Sequence, residues 1–137
     1  MNDKAMKKIM IVDDEQSILL SLFHALKTDG VEVLTSNEME QAEAALEITH
    51  FDLVIADIRM SGVSGIEGLE LLTYIKQRFD TEVIIMTGYG SEEIESEAYR
   101  RGALRYFSKP VDVVELLKQV DSIGIPTKNY GSMQKIG

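Results

Sequence analysis

Five short apolar runs alternate with amphipathic segments along this chain, and this alternation is the strongest constraint on its fold. The runs occupy residues 9–13, 31–35, 53–57, 83–86 and 104–108. They have the length of buried strands, and the segments between them place apolar side chains at helical spacing. Such an alternation predicts right-handed crossovers and a parallel sheet that is covered by helices on both faces.

The predicted fold class is therefore α/β, with a flavodoxin-like, doubly wound, five-stranded parallel sheet in the strand order 2-1-3-4-5. The second run alternates polar and apolar residues, so we expect it at an edge of the sheet. Ligands of such sheets lie beyond the carboxyl ends of the strands, at the point between the first and third strands where the topology reverses. The residues that end the strands are thus the candidates for function.

Local signals predict where some helices begin and end. Asp29 and Gly30 are expected to stop the first helix. Asn37 is expected to be the N-cap of the second helix, with Glu40 as its capping-box partner. Ser91 is expected to cap the fourth helix.

Composition limits the classes of function. The chain has 137 residues, 45% of them hydrophobic, which suits one domain with a packed core. Its formal net charge of −9 argues against direct binding to nucleic acid or to an anionic membrane. The chain has no cysteine, and its polar N-terminus lacks the apolar region of a signal peptide, so we expect a cytoplasmic protein. We expect the domain to occupy residues 1–123, with residues 124–137 as a flexible tail or the start of a linker.

Two adjacent carboxylates, Asp13 and Asp14, follow the first strand. Either could simply cap the helix that comes next, because acidic side chains favour a helix N-terminus. Adjacent carboxylates at the mouth of a buried strand, however, raise each other's pKa unless a cation intervenes. Mg²⁺ fits this requirement, since it prefers oxygen ligands and sites that it shares with a phosphate.

Three further strands end in residues that phosphoryl chemistry uses. Asp57 ends the third strand, Thr87 follows the fourth and Lys109 follows the fifth. A carboxylate can attack phosphorus, while a hydroxyl and an ammonium can hold the oxygens of the transferred group. Taken alone, Asp57 is better explained as a turn or cap residue, Thr87 as the close of a strand and Lys109 as part of a solvated turn. Together with the acidic pair, they predict a site for a divalent metal and a phosphoryl group at one edge of the sheet.

These motifs as a set resemble the receiver domain of bacterial two-component response regulators, from about Lys7 to Val120. The matching segments are Ile-Val-Asp13-Asp14-Glu15, Asp57-Ile-Arg-Met, Met86-Thr87-Gly88-Tyr89-Gly90, Gly102-Ala103, Tyr106 and Lys109-Pro110. The resemblance implies that Asp57 is the phosphoacceptor and that Thr87 and Lys109 hold the phosphoryl oxygens.

The resemblance also implies a metal site and a switch residue. The implied ligands of Mg²⁺ are Asp57 and Asp14, Asp13 mostly through water, and the backbone carbonyl of Arg59. Tyr106 would be the aromatic side chain whose rotamer follows the position of Thr87.

The function implied by the resemblance is that of a signalling switch. The protein would take a phosphoryl group from a histidine kinase or a histidine phosphotransfer protein onto Asp57 with Mg²⁺, as a step of phosphorelay signal transduction. The surface formed by the fourth helix, the fifth strand and the fifth helix would then change. That surface would serve an effector domain, a partner protein or a homodimer formed on phosphorylation. The protein would contribute to its own phosphorylation and dephosphorylation without turning over an external substrate.

The fourth helix is the predicted moving element. In residues 91–101 the clear inward apolar residues are Ile94 and Ala98, and elements with little burial belong to the less stable parts of a fold. Nearby aromatic and basic residues either face a partner or form a solvated charged surface. These residues are Tyr99, Arg100, Arg101 and Arg105.

The loop after the third strand departs from the family pattern. Ser61 stands where many receivers have proline, and the loop has a few extra residues. Either Gly65 or Gly68 could be the turn glycine, which leaves the start of the third helix open. Arg59 and Tyr89 lie at positions that tune the lifetime of the phosphate in the family.

Three alternatives were weighed against this interpretation. A phosphatase with an aspartate nucleophile wants Asp-x-Asp-x-Thr after the first strand, and residues 13–17 do not supply it. A flavin or dinucleotide binder wants a glycine- or hydroxyl-rich loop where this chain has acids. A phosphorylation-independent adaptor with a receiver fold would not need the acidic pair, the acceptor, the hydroxyl and the lysine together.

Overall fold

A computed structural model describes residues 6–58 and 66–128 of the chain. Its strands are β1 (Lys7–Val12), β2 (Val31–Ser36), β3 (Leu53–Asp57), β4 (Glu82–Thr87) and β5 (Arg105–Ser108). The helices that alternate with them are α1 (Gln16–Leu26), α2 (Met39–Ile48), α3 (Glu67–Arg78), α4 (Glu92–Arg100) and α5 (Val113–Ser122). The strands form one parallel sheet in the order β2-β1-β3-β4-β5, so the predicted fold class, topology and strand order are confirmed.

The central strands are apolar on both faces because each face of the sheet carries its own hydrophobic cluster. In β1, Met10 and Val12 join the cluster that also contains the buried side chains of α2, α3 and α4. Ile9 and Ile11 point the other way, into the cluster shared with α1 and α5. Helices therefore cover both faces, as the continuous apolar run predicted.

The two edge strands are less buried than the central ones. β2 alternates buried and exposed residues over most of its length and pairs with β1 alone. This confirms that the more alternating run forms an edge strand. At the other edge, β5 buries Phe107 and exposes Arg105 and Ser108.

The predicted N-cap at Asn37 is wrong. α2 begins at Met39, and its N-cap residue is Glu38, whose side chain makes no capping hydrogen bond. The turn is closed instead by Ser36, the last residue of β2, whose hydroxyl donates to the backbone carbonyl of Glu38 at 2.9 Å. The Ser36 hydroxyl thus stabilises the turn before α2, and the expected Asn37–Glu40 capping box does not form.

Other predicted helix ends agree with the structure. Ser91 caps α4, because its hydroxyl accepts a hydrogen bond from the backbone N–H of Ile94 at 3.2 Å. α1 ends at Leu26, and Gly30 adopts a φ of +83° in the turn that leads into β2. A positive φ is the conformation for which glycine is preferred at such a turn.

The chain after α5 packs back onto the sheet. Ile125 is buried in the cluster that contains α1 and α5. Lys128 donates a hydrogen bond from its ammonium group to the backbone carbonyl of His24, in the last turn of α1. The predicted division after residue 123 remains a prediction, but residues 124–128 lie against the folded body.

None of the helices in the described ranges combines the length and apolarity needed to cross a bilayer.

Candidate functional site

Parallel pairing brings the carboxyl ends of four strands to one edge of the sheet. Val12 pairs with Ala56, Asp57 pairs with Met86, and Thr87 pairs with Ser108. The residues at these positions and directly after them therefore meet, although they are far apart in the chain. They are the residues that the sequence marked as candidates: Asp13, Asp14, Asp57, Thr87 and Lys109.

Three carboxylates converge at this edge. One oxygen from each of Asp13, Asp14 and Asp57 lies within 4.8 Å of the others. Asp13 and Asp57 are buried, while Asp14 is exposed at the mouth of the site. Partial desolvation, together with the adjacent charge of Asp13, raises the pKa of the Asp14 carboxyl above its ordinary value. Oxygen donors that destabilise one another as anions in this way are chemically suited to a hard divalent cation.

Lys109 supplies the positive charge of the site. Its Nζ lies 2.8 Å from Asp13 Oδ2 and 3.1 Å from Asp57 Oδ2, and it also contacts Glu15. Burial acts to lower the pKa of the Lys109 ammonium, but the hydrogen bonds that it donates to Asp13 and Asp57 outweigh this effect and hold that pKa above its ordinary value. The backbone N–H of Lys109 donates to the carbonyl of Thr87 at 2.8 Å, and the Lys109–Pro110 peptide bond is cis.

Thr87 lies buried at the end of β4, beside the acidic group. Its Oγ1 accepts a hydrogen bond from the backbone N–H of Tyr89 at 3.0 Å, which shapes the loop between β4 and α4. Gly88 follows Thr87 in this loop. A Cβ at Gly88 would meet no protein atom within 4 Å, so the glycine is not required by the packing of the described chain.

Two glycines that are required by packing were not recognised for that role from the sequence. A Cβ on Gly90 would lie 1.6 Å from the hydroxyl of Tyr106 and 2.9 Å from Thr87 Cγ2. The phenol of Tyr106 therefore occupies the space over Gly90, next to Thr87. Tyr106 is partly buried, and this burial raises the pKa of its hydroxyl. The repeated Gly88-Tyr89-Gly90 pattern was the available signal, but it does not show which glycine meets a side chain.

The second glycine is Gly68, in the first turn of α3. A Cβ there would lie 2.3 Å from the carbonyl oxygen of Asp57 and 2.6 Å from Ile58 Cα. Its N–H donates to the carbonyl of Ile58 at 2.9 Å. Gly68 thus lets α3 start directly against the backbone that carries Asp57. Gly65, Ser61 and the predicted carbonyl ligand of Arg59 fall outside the described residues.

The aromatic and basic residues around α4 have structural partners. Arg101 binds Glu97 through Nε at 2.7 Å and donates from Nη1 to the backbone carbonyl of Leu69 in α3 at 3.1 Å. The hydroxyl of Tyr99 accepts from the backbone N–H of Tyr106 at 3.1 Å, which links α4 to the edge strand β5. Arg101 therefore holds α4 against α3, and Tyr99 holds α4 against β5.

A comparison with known protein families identifies the family of this chain. Residues 9–121 match the response regulator receiver domain. The chain belongs to this family. Receiver domains are signal-transduction modules of two-component systems, and phosphorylation on aspartate with Mg²⁺ is standard among them.

Individual relatives support the same assignment. The receiver domain is 38% identical over 112 residues to the regulatory protein AtoC of Escherichia coli, covering 82% of this chain and 24% of that protein. It is 34% identical over 110 residues to the sporulation initiation phosphotransferase F of Bacillus subtilis, covering 80% of this chain and 87% of that protein. The match thus spans about a quarter of AtoC but most of the phosphotransferase.

Solved structures show the same fold. A CheY-like response regulator receiver domain protein from Methanospirillum hungatei superposes with a TM-score of 0.77 at 31% identity, covering 97% of this chain and all of that one. The beryllofluoride-activated receiver domain of DrrB gives a TM-score of 0.76 at 28% identity, covering 86% of this chain and 97% of that one.

Proposed function

We propose that Asp57 accepts a phosphoryl group from a histidine kinase or a histidine phosphotransfer protein. The observation that carries the proposal is the position of Asp57. Its carboxylate is buried at the sheet edge, within reach of Asp13, Asp14 and the ammonium of Lys109. This is an arrangement that can neutralise the charge of a group in transfer.

The transfer forms one bond to phosphorus and breaks another. A carboxylate oxygen of Asp57 attacks the phosphorus, and the P–N bond of the donor phosphohistidine breaks. The bonding electron pair stays on the imidazole nitrogen, and an acyl phosphate forms on Asp57. Lys109 then moves its hydrogen bond from Asp57 to a phosphoryl oxygen, and the hydroxyl of Thr87 donates to another.

We propose that Asp13, Asp14 and Asp57 hold Mg²⁺, with the backbone carbonyl of Arg59 as a further ligand. The convergence of their oxygens and the raised pKa of Asp14 support this donor set. When bound, Mg²⁺ would offset the negative charge that the phosphoryl group adds to the site. In this proposal the chain assists its own phosphorylation and later loss of the phosphate, and it turns over no external substrate.

The proposed output is a change in the surface of α4, β5 and α5. Thr87 would move toward the phosphoryl group, and Tyr106 would follow because its ring already lies against Gly90 and Thr87. The hydrogen bond between Tyr99 and the backbone of Tyr106 would carry the change into α4. That surface would then bind an effector domain, a partner protein or a second copy of the chain.

Labelling of the acceptor tests the proposal directly. The wild-type chain, Asp57→Asn and the control Asp80→Asn are incubated with Mg²⁺ and acetyl phosphate, and the gain of one phosphoryl group is measured by mass spectrometry. Asp80 is an exposed residue in the loop between α3 and β4. We expect labelling of the wild type and of Asp80→Asn, and none of Asp57→Asn. Labelling of Asp57→Asn would contradict the assignment of the acceptor.

Hydrogen exchange separates the switch from a phosphorylation-independent adaptor. The beryllofluoride-activated DrrB receiver gives the precedent for a phosphoryl mimic in a related domain. With Mg²⁺ and beryllofluoride, we expect changed exchange protection over residues 91–102 and β5. Equal protection with and without the mimic, despite its binding, would favour the adaptor.

A further inference from the structure

Glu15 is the N-cap residue of α1, but its side chain does not cap the helix. Its backbone carbonyl accepts hydrogen bonds from the N–H groups of Ile18 and Leu19, both at 3.1 Å, while its side chain makes no capping bond. Its own N–H donates to Asp13 Oδ1 at 2.9 Å. Asp13 therefore orients the backbone of Glu15, and the Glu15 side chain is committed elsewhere.

That side chain reaches the site. Glu15 Oε1 lies 3.1 Å from Lys109 Nζ, across 94 positions of sequence. The Glu15 side chain is 59% exposed, whereas those of Asp13 and Asp57 are 0% and 6% exposed. Among the three carboxylates that Lys109 contacts, Glu15 is thus the one on the solvent side. An exposed ion pair contributes little to stability, so the effect of Glu15 that can be tested is its charge at the site.

The Glu15 carboxylate adds negative charge to a site that is already rich in carboxylates. Among the described residues of the site, four carboxylates (Asp13, Asp14, Glu15 and Asp57) lie around one ammonium, that of Lys109, so the formal charge of these five side chains is negative. A phosphodonor that approaches this group is an anion, and a divalent metal is a cation. A carboxylate at the mouth repels the first and attracts the second. Glu15 also accepts a hydrogen bond from Lys109, so it competes with a phosphoryl oxygen for the donors of that ammonium.

We propose that Glu15 is a positioning residue that restrains phosphoryl acceptance. It keeps Lys109 turned toward the mouth of the site and adds a negative charge there, so it slows the entry of the donor while it strengthens cation binding. This inference rests on the proposed phosphoryl transfer to Asp57. Glu15 is not itself one of the three converging metal-ligand candidates.

The test compares Glu15→Gln, which keeps the shape and removes the charge, with Glu15→Asp, which keeps the charge but is one methylene shorter. The matched control is Glu32→Gln, because Glu32 is also exposed and pairs with a lysine, Lys8, at 3.7 Å. Two quantities are measured separately. The first is the affinity for Mg²⁺ alone, by calorimetry, and the second is the labelling rate with acetyl phosphate at saturating Mg²⁺.

For Glu15→Gln we expect about threefold weaker Mg²⁺ binding and about threefold faster labelling, the scale of one exposed charge acting through water. Both effects should shrink at high ionic strength, because exposed charges are screened. Glu15→Asp should keep the wild-type Mg²⁺ affinity and label at a rate between the other two. Glu32→Gln should match the wild type in both measurements.

Opposite shifts in the two quantities are the signature, since damage to the fold would weaken both. Wild-type values of both quantities in Glu15→Gln, or losses in both, would overturn the role of Glu15. A wild-type chain that is not labelled at all would instead refute the phosphoryl transfer itself. The Mg²⁺ affinities would still report on the charge at the mouth in that case.

Discussion

The Nζ atom of Lys109 lies 3.1 Å from Oδ2 of Asp57, which joins the ends of β5 and β3 across 52 positions of sequence. The same ammonium lies 2.8 Å from Asp13 Oδ2. Two buried carboxylates from two different strands therefore share one lysine. This shared contact couples the stability of the sheet edge to the chemistry proposed for it.

Replacement of Lys109 by methionine should destabilise the fold in a way that Mg²⁺ relieves. The substitution removes the ammonium that faces two buried carboxylates, and we expect the free energy of unfolding to fall by about 2–3 kcal/mol without metal. Added Mg²⁺ should restore part of the loss, because a cation that binds only the folded state stabilises it. Urea unfolding with EDTA and with Mg²⁺ measures both values.

The control for this substitution is Lys118→Met. Lys118 makes an exposed ion pair with Glu115 at 3.4 Å, so its loss should change the unfolding free energy by less than about 0.5 kcal/mol. An equal loss of stability in Lys109→Met with and without Mg²⁺ would show that the lysine and the metal do not serve the same carboxylates.

Gly68→Ala should disturb the site through the backbone. The new methyl group would collide with the carbonyl of Asp57 and with Ile58 Cα, which are main-chain atoms that cannot rotate away. We expect a loss of about 2–3 kcal/mol in unfolding free energy, together with weaker labelling of Asp57. Gly88→Ala is the matched control, because a Cβ there meets no atom within 4 Å. Its stability should stay within about 1 kcal/mol of the wild type, and equal effects of the two changes would contradict this account.

Gly90→Ala should displace the phenol of Tyr106. Burial raises the pKa of the Tyr106 hydroxyl above its ordinary value of 10.0. A raised pKa in the folded state means that the neutral phenol stabilises the fold below the pKa of the unfolded chain. That contribution is lost as the pH rises through the folded pKa. Once the ring is displaced, the pKa should return toward 10.0.

The phenolate absorbance, recorded against pH, measures this change. A hydrogen bond to Glu47 also raises the pKa of the Tyr74 hydroxyl, so the variants are compared in a Tyr74→Phe background. In that background the late-ionising signal should be absent from Tyr106→Phe and should move to lower pH in Gly90→Ala. An unchanged absorbance profile in Gly90→Ala would show that the loop adjusts around the tyrosine instead.

Replacement of Arg101 by glutamine should speed hydrogen exchange in α4 and raise the pKa of the Glu97 carboxyl. The hydrogen bond from Arg101, more than any other cause, lowers the pKa of the Glu97 carboxyl below its ordinary value of 4.5. A lowered pKa in the folded state means that the ionised pair stabilises the fold above 4.5 and that this contribution is lost as the pH falls through the lower folded value. Carboxyl carbon resonances should show a Glu97 pKa nearer 4.5 in Arg101→Gln. Faster hydrogen exchange in α4 should accompany that change, and a Glu97 pKa that stays low would assign its shift to another neighbour.

The sequence predicted the sheet well because its central strands are apolar on both faces, as Ile9 to Val12 are. Parallel order then follows from the helices between them, and parallel order alone places Asp13, Asp57 and Lys109 at one edge. Their meeting could therefore be predicted without coordinates. Their chemical roles stay proposals.

What the sequence did not reveal depends on distances between segments that are far apart in the chain. Gly68 and Gly90 are required only because a carbonyl of Asp57 and the ring of Tyr106 pass close by. The contact of Glu15 with Lys109 depends on where α1 begins relative to β5. Asn37 was chosen as a cap from its residue type, but the competing hydroxyl of Ser36 could be weighed only once the turn was visible.

Ile125 is buried and Lys128 contacts the end of α1, so residues 125–128 are held against that end of the domain. Pro126 lies beside Gly30, just before β2 begins, on the rim of the sheet opposite the carboxylates. The last described residues therefore lie at the end of the sheet away from Asp57, and they leave the approach to its carboxylate uncovered.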